Sequence, residues 1–155
     1  MAAYNVRSEK SLVELYSTLQ TATNLEGYYR AEISGPKFLI PIKHMILSLL
    51  GLPGWKGKHF YGDYALNVLE RKGKVTKGLR MSIKTLPHRL DSKPGLVTVY
   101  EDDASFIWRR CTDEFRVIDE HTLLGMTFFD LPFFRGKPSM FLLHKCPDEE
   151  GINER

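Results

Sequence analysis

Cysteine is scarce: only Cys111 and Cys146 occur in the 155 residues. They lack C-x-x-C spacing and have no histidine pair of zinc-finger type nearby. Neither a disulfide framework nor a structural zinc site is supported, and both are expected as reduced thiols. Long hydrophobic runs are missing too. The longest, residues 38–52, is interrupted by Pro41, Lys43, His44 and Ser48, so no transmembrane segment of the roughly 18 or more residues that span a bilayer is expected. Residues 1–10 show no basic segment leading into an apolar core, which makes a cytoplasmic location the default expectation. Charge of one sign is also sparse: 22 basic and 19 acidic residues are interspersed, for a formal net charge of +3. No basic groove and no nucleic-acid partner are indicated. The run Lys72–Arg80 is basic but reads as a solvated hairpin. There is no P-loop, G-x-G-x-x-G, G-x-S-x-G, H-E-x-x-H or zinc-deaminase signature. Nucleotide-driven, triad-hydrolase and common metallohydrolase chemistry therefore lack their usual marks.

What is present suits one globular domain over residues 1–155, with 1–8 and 146–155 as frayed tails: 43% of the chain is hydrophobic and 26% charged, enough to bury a continuous core. Leu12, Leu15, Tyr16 and Leu19 recur at helical intervals behind Ser8 or Ser11 as N-cap, predicting a short amphipathic helix over about 9–21. After Asn24 and Gly27, residues Tyr29, Ala31 and Ile33 alternate with polar neighbours as in a half-buried strand. Pro41 can open a second helix carrying Ile42, Met45, Ile46, Leu49 and Leu50, which Gly51 and Pro53 stop. That helix is apolar around much of its circumference and needs cover, either as a lid on a barrel mouth or packed outside the sheet. Strands are expected over about 58–71, 75–85, 95–101, 105–110, 113–118, 122–129 and 138–145, separated by turn residues. Eight strands in sequence suggest an antiparallel up-and-down meander. Closing it removes the exposed edges and leaves an interior for about one small ligand.

The segment Leu25-Glu26-Gly27-Tyr28-Tyr29-Arg30 resembles the opening of lipocalin-like (calycin) barrels, where Gly-x-Trp usually follows a short helix; Tyr29 stands in the place of the tryptophan. Trp55-Lys56-Gly57-Lys58-His59-Phe60 with Asn67 downstream, residues 113–119 leading into Thr122-Leu123-Leu124-Gly125-Met126, and Phe141-Leu142-Leu143-His144-Lys145 resemble a poorly characterised family of small proteins named for a G-x-W-x-G motif. The chain departs from that family at Gly27-Tyr28-Tyr29-Arg30-Ala31, which lacks the tryptophan and the second glycine, and around residues 86–93. The resemblance implies a mainly β, eight-stranded lipocalin-like barrel with an apolar pocket. It implies no reaction.

Asp113 and Arg116 lie on one strand but on opposite faces by parity, Asp113 with Phe115 and Val117, Arg116 with Glu114 and Ile118. An inward Asp113 would be a buried carboxylate fit for proton transfer, or else a partner of a neighbouring turn. The resemblance to lipocalin-like barrels implies a structural role for Arg116, stacked on Tyr29 across a closed barrel end, with anion recognition as the alternative. His144 shares a face with Met140 and Leu142. If these point inward, it is a satisfied interior histidine, a general base or, by resemblance to haem-binding barrels of this kind, an axial haem ligand; no other cofactor is expected. Leu79, Met81 and Ile83 should line the interior, and with Phe106 and Trp108, or Met126 and Phe128, would form soft walls for an apolar guest. His44, Trp55 and Tyr64 complete the candidate ligand-binding set, and the loop holding Phe133 and Phe134 is a candidate flap. A small hydrophobic or amphipathic guest is the expected partner. The competing expectations are a cofactor-free cyclase or isomerase taking one acid or base from Asp113, His144 or a tyrosine, and a filled, structural or partner-binding barrel. No feature signals an oligomeric state.

Overall fold

The computed structural model describes residues 4–132 and 138–147; Phe133 and Phe134 lie outside them. Helix α1 (Glu9–Tyr16) starts at Ser8, whose hydroxyl accepts the Ser11 N–H at 3.2 Å. It ends earlier than periodicity predicts. Thr18 turns its hydroxyl onto the Leu15 carbonyl, competing with helix continuation, and the chain then forms β1 (Gln20–Thr21), paired with Val117 and Arg116.

Eight longer strands come next: β2 (Glu26–Ile33), β3 (Trp55–Tyr61), β4 (Tyr64–Arg71), β5 (Lys74–Pro87), β6 (Pro94–Tyr100), β7 (Cys111–Asp119), β8 (Thr122–Phe129) and β9 (Ser139–Lys145). Each pairs antiparallel with the next, and β9 returns to β2, closing an up-and-down barrel. The expected strand count holds because two departures offset each other. The stretch 58–71 is two strands, turned at Gly62-Asp63, whereas 105–110 is no strand. It ends in a 3₁₀ turn, Trp108–Arg110, because β6 pairs directly with β7 through Val97, Thr98 and Val99, leaving the connection no edge to join.

Helix α2 (Ile40–Leu49) carries Pro in its first turn. It closes in a Schellman arrangement: the Gly51 N–H bonds the Ser48 carbonyl and the Leu52 N–H bonds the Leu47 carbonyl, with Gly51 at φ +98°. Lys43 pins it to the body through Glu9 of α1 and the Ser34 carbonyl. Phe38, Ile42, Met45, Ile46 and Leu49 stay exposed.

Two apolar clusters result. One fills part of the lumen, with Tyr29, Phe60, Met81, Phe115 and Phe141 among its members. The other lies outside the barrel, where Leu12 and Tyr16 of α1 cover Leu124, Met126, Phe128, Met140 and Leu142 of β8 and β9. Both faces of β8 and β9 are therefore apolar.

Candidate functional site

The site begins with irregularities in two strands. In β3 the pairing shifts between Trp55 and Gly57, and a Cβ at Gly57 would lie 2.0 Å from the Tyr29 carbonyl oxygen, so only glycine fits. This bulge turns Trp55 and Lys58 both inward, where strict alternation would place them on opposite faces. In β5 a second shift falls opposite Ala65 and Asn67. There Leu79 adopts φ +51°, and its carbonyl accepts the Asn67 amide at 3.3 Å.

Lys58 and Asn67 are cross-strand neighbours. Asp113 approaches from β7, four strands away around the ring. Lys58 Nζ and Asp113 Oδ2 meet at 2.8 Å, with side chains only 2% and 4% exposed, so the ion pair bridges the lumen. Asp113 is flanked across the sheet by Thr98 and Thr127, whose hydroxyls donate to its two oxygens at 3.3 and 2.6 Å. Lys58 also donates to Asn67 Oδ1 and to the Met81 sulfur, both at 3.2 Å. Asn67 Oδ1 accepts the Trp55 indole N–H as well, at 3.1 Å, and its amide donates to the Tyr100 hydroxyl at 3.2 Å. Fully paired in this way, the charges meet the condition under which buried ions persist. Burial, with the Asp113 charge adding to it, holds the Tyr100 phenol well above its ordinary pKa and therefore protonated.

One inward-facing position further along β3 and β7, Phe60 and Phe115 meet edge to face at 5.5 Å, and Tyr29 contacts Phe60 at 5.4 Å. In the other direction the lumen is open. A cavity of about 360 Å³ is lined by Trp55, Lys58, Asn67, Tyr100, Trp108 and Asp113 together with aliphatic side chains. Ile46 and Leu47 of α2 and Leu50 just past its end belong to its wall, and the Trp108 indole donates to the Leu50 carbonyl at 2.6 Å. Helix α2 thus lies over the mouth.

Of the residues singled out from sequence, Trp55, Trp108 and Asp113 reach the cavity. Met81 is interior but sits behind the ion pair, touching Lys58 through its sulfur. His44 is exposed on α2. Tyr64 faces outward, stacked on Tyr61 at 4.8 Å under the Arg80 guanidinium. Phe106 is exposed, beneath Arg110. Met126 and Phe128 lie outside the barrel under α1. His144 shares that outer face and contacts Glu32 Oε2 at 2.9 Å, so it is neither a base nor an axial ligand for a group in the lumen. Tyr29 is interior as expected, but its cationic neighbour is Lys145, 5.8 Å from the ring.

Arg116 belongs to a second buried network, outside the barrel. Its guanidinium lies 4.4 Å over the Tyr16 ring. It donates to His88 Nδ1 (3.0 Å), the Leu19 carbonyl (3.0 Å) and Asp91 Oδ1 (2.6 Å). Glu114 accepts the Tyr16 hydroxyl at 2.7 Å and the Arg89 N–H at 2.9 Å. Burial depresses the His88 pKa, opposed by the Glu114 and Asp91 charges and reinforced by Arg116. The hydrogen bond from Arg116 holds the Asp91 carboxyl below its ordinary range. The segment 86–93 thus supplies the loop this network clamps.

Lys58, Asn67 and Tyr100 were not among the sequence candidates. A signal for Lys58 does exist: a glycine inside a strand pattern marks a bulge or a close backbone approach, and a bulge at Gly57 reverses the parity of the residues beyond it.

Among the described residues no cluster of His, Cys, Asp and Glu could hold a metal ion, and no helix is long and apolar enough to cross a membrane. No protein-family model matches the sequence, and no curated protein matches it. Among solved structures, the crystal structure of a protein from Thermomonospora curvata is similar, with a TM-score of 0.69 and 16% identity over 90% of this chain and 88% of that one. At that identity the likeness shows the fold alone.

Proposed function

We propose that the protein takes a small hydrophobic or amphipathic molecule into its barrel, as the lipocalin-like resemblance implies. The observation that carries this reading is the cavity of about 360 Å³, apolar over most of its wall and with a few convergent polar groups at its inner end. That is the usual character of a small-molecule site. Helix α2 serves as the lid through which the guest passes.

Trp55 and Trp108 both line the cavity, so intrinsic fluorescence reports occupancy without a label. Titration with lipids, terpenoids and polyketides is expected to change the emission and raise the melting temperature for at least one class. Saturation at a hundred times Kd adds about 2.7 kcal/mol. Uniform silence across the classes would sink the proposal.

A second reading, a cofactor-free cyclase or isomerase, draws on Asp113 and Tyr100 both facing the cavity. A carboxylate and a protonated phenol beside an apolar guest supply a base and a hydrogen-bond donor, and confinement favours a reactive conformation. His144 has no part in it. Turnover by wild type but not by Asp113→Asn would favour this reading over simple binding; equal turnover would discard it.

A further inference from the structure

The hydrogen-bonding capacity of the cavity wall can be traced group by group. Lys58 spends its three N–H donors on Asp113, Asn67 and Met81. Asn67 spends one amide hydrogen on the Leu79 carbonyl and the other on the Tyr100 hydroxyl. Both indole N–H groups are used, Trp55 on Asn67 and Trp108 on the Leu50 carbonyl. The Thr98 and Thr127 hydroxyl hydrogens go to Asp113. Lys43, at the rim, is held by Glu9 and the Ser34 carbonyl, and Ser139 is only half-buried.

Tyr100 differs. Its oxygen accepts from Asn67, which fixes the amide as donor and leaves the phenolic hydrogen to be given elsewhere. Among the described residues no acceptor takes it, although the residue is only 6% exposed and lines the cavity. The charges in the wall cancel as well, Lys58 against Asp113 and Lys43 against Glu9. A guest bringing a carboxylate or an ammonium would bury a charge with no free counter-charge, which disfavours its binding.

We propose that the guest is electrically neutral and presents one acceptor oxygen, of carbonyl type, to the Tyr100 hydroxyl, with an apolar body filling the rest of the cavity. This rests on the binding reading above and specifies its ligand class.

The test is a matched series, 2-undecanone, undecanoate, undecylamine and undecane, titrated into the full chain at neutral pH with tryptophan fluorescence as readout. The ketone is expected to bind about tenfold or more tightly than either charged analogue and tighter than the hydrocarbon. In Tyr100→Phe the ketone should fall about tenfold, to near the hydrocarbon. The hydrocarbon's own affinity should be unchanged, which also shows that the variant is folded. A carboxylate or amine that matches the ketone would overturn the proposal, as would an equal loss of ketone and hydrocarbon in Tyr100→Phe. Either outcome leaves the binding reading standing. No binding by any of the four would overturn this proposal, and the binding reading falls only if the lipids, terpenoids and polyketides are silent as well.

Discussion

The protein holds two buried polar networks on opposite faces of β7, one built on Asp113 and the other on Glu114 and Arg116. The outer one ties elements of the protein to one another, with Asp91 Oδ2 left without a hydrogen bond. Arg116 gives hydrogen bonds to His88, Asp91 and the Leu19 carbonyl, while Glu114 accepts from Tyr16 and Arg89, so the 88–93 loop and α1 are clamped to the barrel wall. The inner one adjoins open volume and keeps one donor, the Tyr100 hydroxyl, unspent. Burial of polar groups is therefore no mark of function by itself. What separates the two is that the inner network ends at a space that another molecule can fill.

The largest effect should come from breaking the inner pair. Lys58→Met leaves Asp113 charged in the lumen without its counter-ion and is expected to cost about 3–5 kcal/mol in urea unfolding. Lys58→Met combined with Asp113→Leu should recover most of that loss, because neither charge is then stranded. If the double variant were as unstable as the single, the loss would come from lumen packing and hydrogen bonds and not from a stranded charge. Arg116→Met should cost less, about 2 kcal/mol, because the Asp91 side chain it strands is 19% exposed and can hydrate. It should leave the fluorescence titration of the cavity unchanged.

The outer network also predicts a pH response. Nε2 of His88 lies 3.2 Å from the Leu96 carbonyl oxygen and Nδ1 faces the Arg116 N–H, so the neutral ring carries its proton on Nε2. Its folded pKa is depressed. As pH falls below the ordinary histidine value of about 6.5, the unfolded chain takes up a proton that the folded one resists, and stability declines. Asp91, with its depressed pKa, adds a further loss below about pH 4, its unfolded value. His88→Gln should flatten the first decline and leave the second. An unaltered profile between pH 6.5 and 5 would show that His88 does not govern it.

The same contrast explains what could be read from the sequence. The barrel was legible because turn residues and period-2 alternation recur along most of its length, and Asp113 was legible because Phe115 shares its face and is a core residue. Lys58 was hidden by the Gly57 bulge, which puts Trp55 and Lys58 on one face although they are three residues apart. The pairing of Arg116 with Tyr29 is an expectation of the barrel resemblance alone; its partners in the structure, Tyr16 and His88, are far away in sequence and arrive only through α1 and the 88–93 loop. Alternation failed altogether in β8 and β9. It distinguishes inside from outside only when one face is wet, and here α1 makes both faces apolar.

That last point can be broken most gently at His144. Its ring and Glu32 are joined at 2.9 Å, but the side chains are 30% and 37% exposed, so the contact is hydrated and screened. His144→Ala is expected to cost less than about 1 kcal/mol and to leave every cavity ligand's affinity within error of wild type. Met140 and Leu142, on the same face, are fully or almost fully buried against α1. Leu142→Ala should accordingly destabilise by about 2–5 kcal/mol, again without altering the affinity of the folded fraction. A histidine variant that weakened binding at full stability would mean that the lumen and the outer face communicate through β9. The proposed division between a wall that holds the barrel and a wall that holds the guest would then have to be redrawn.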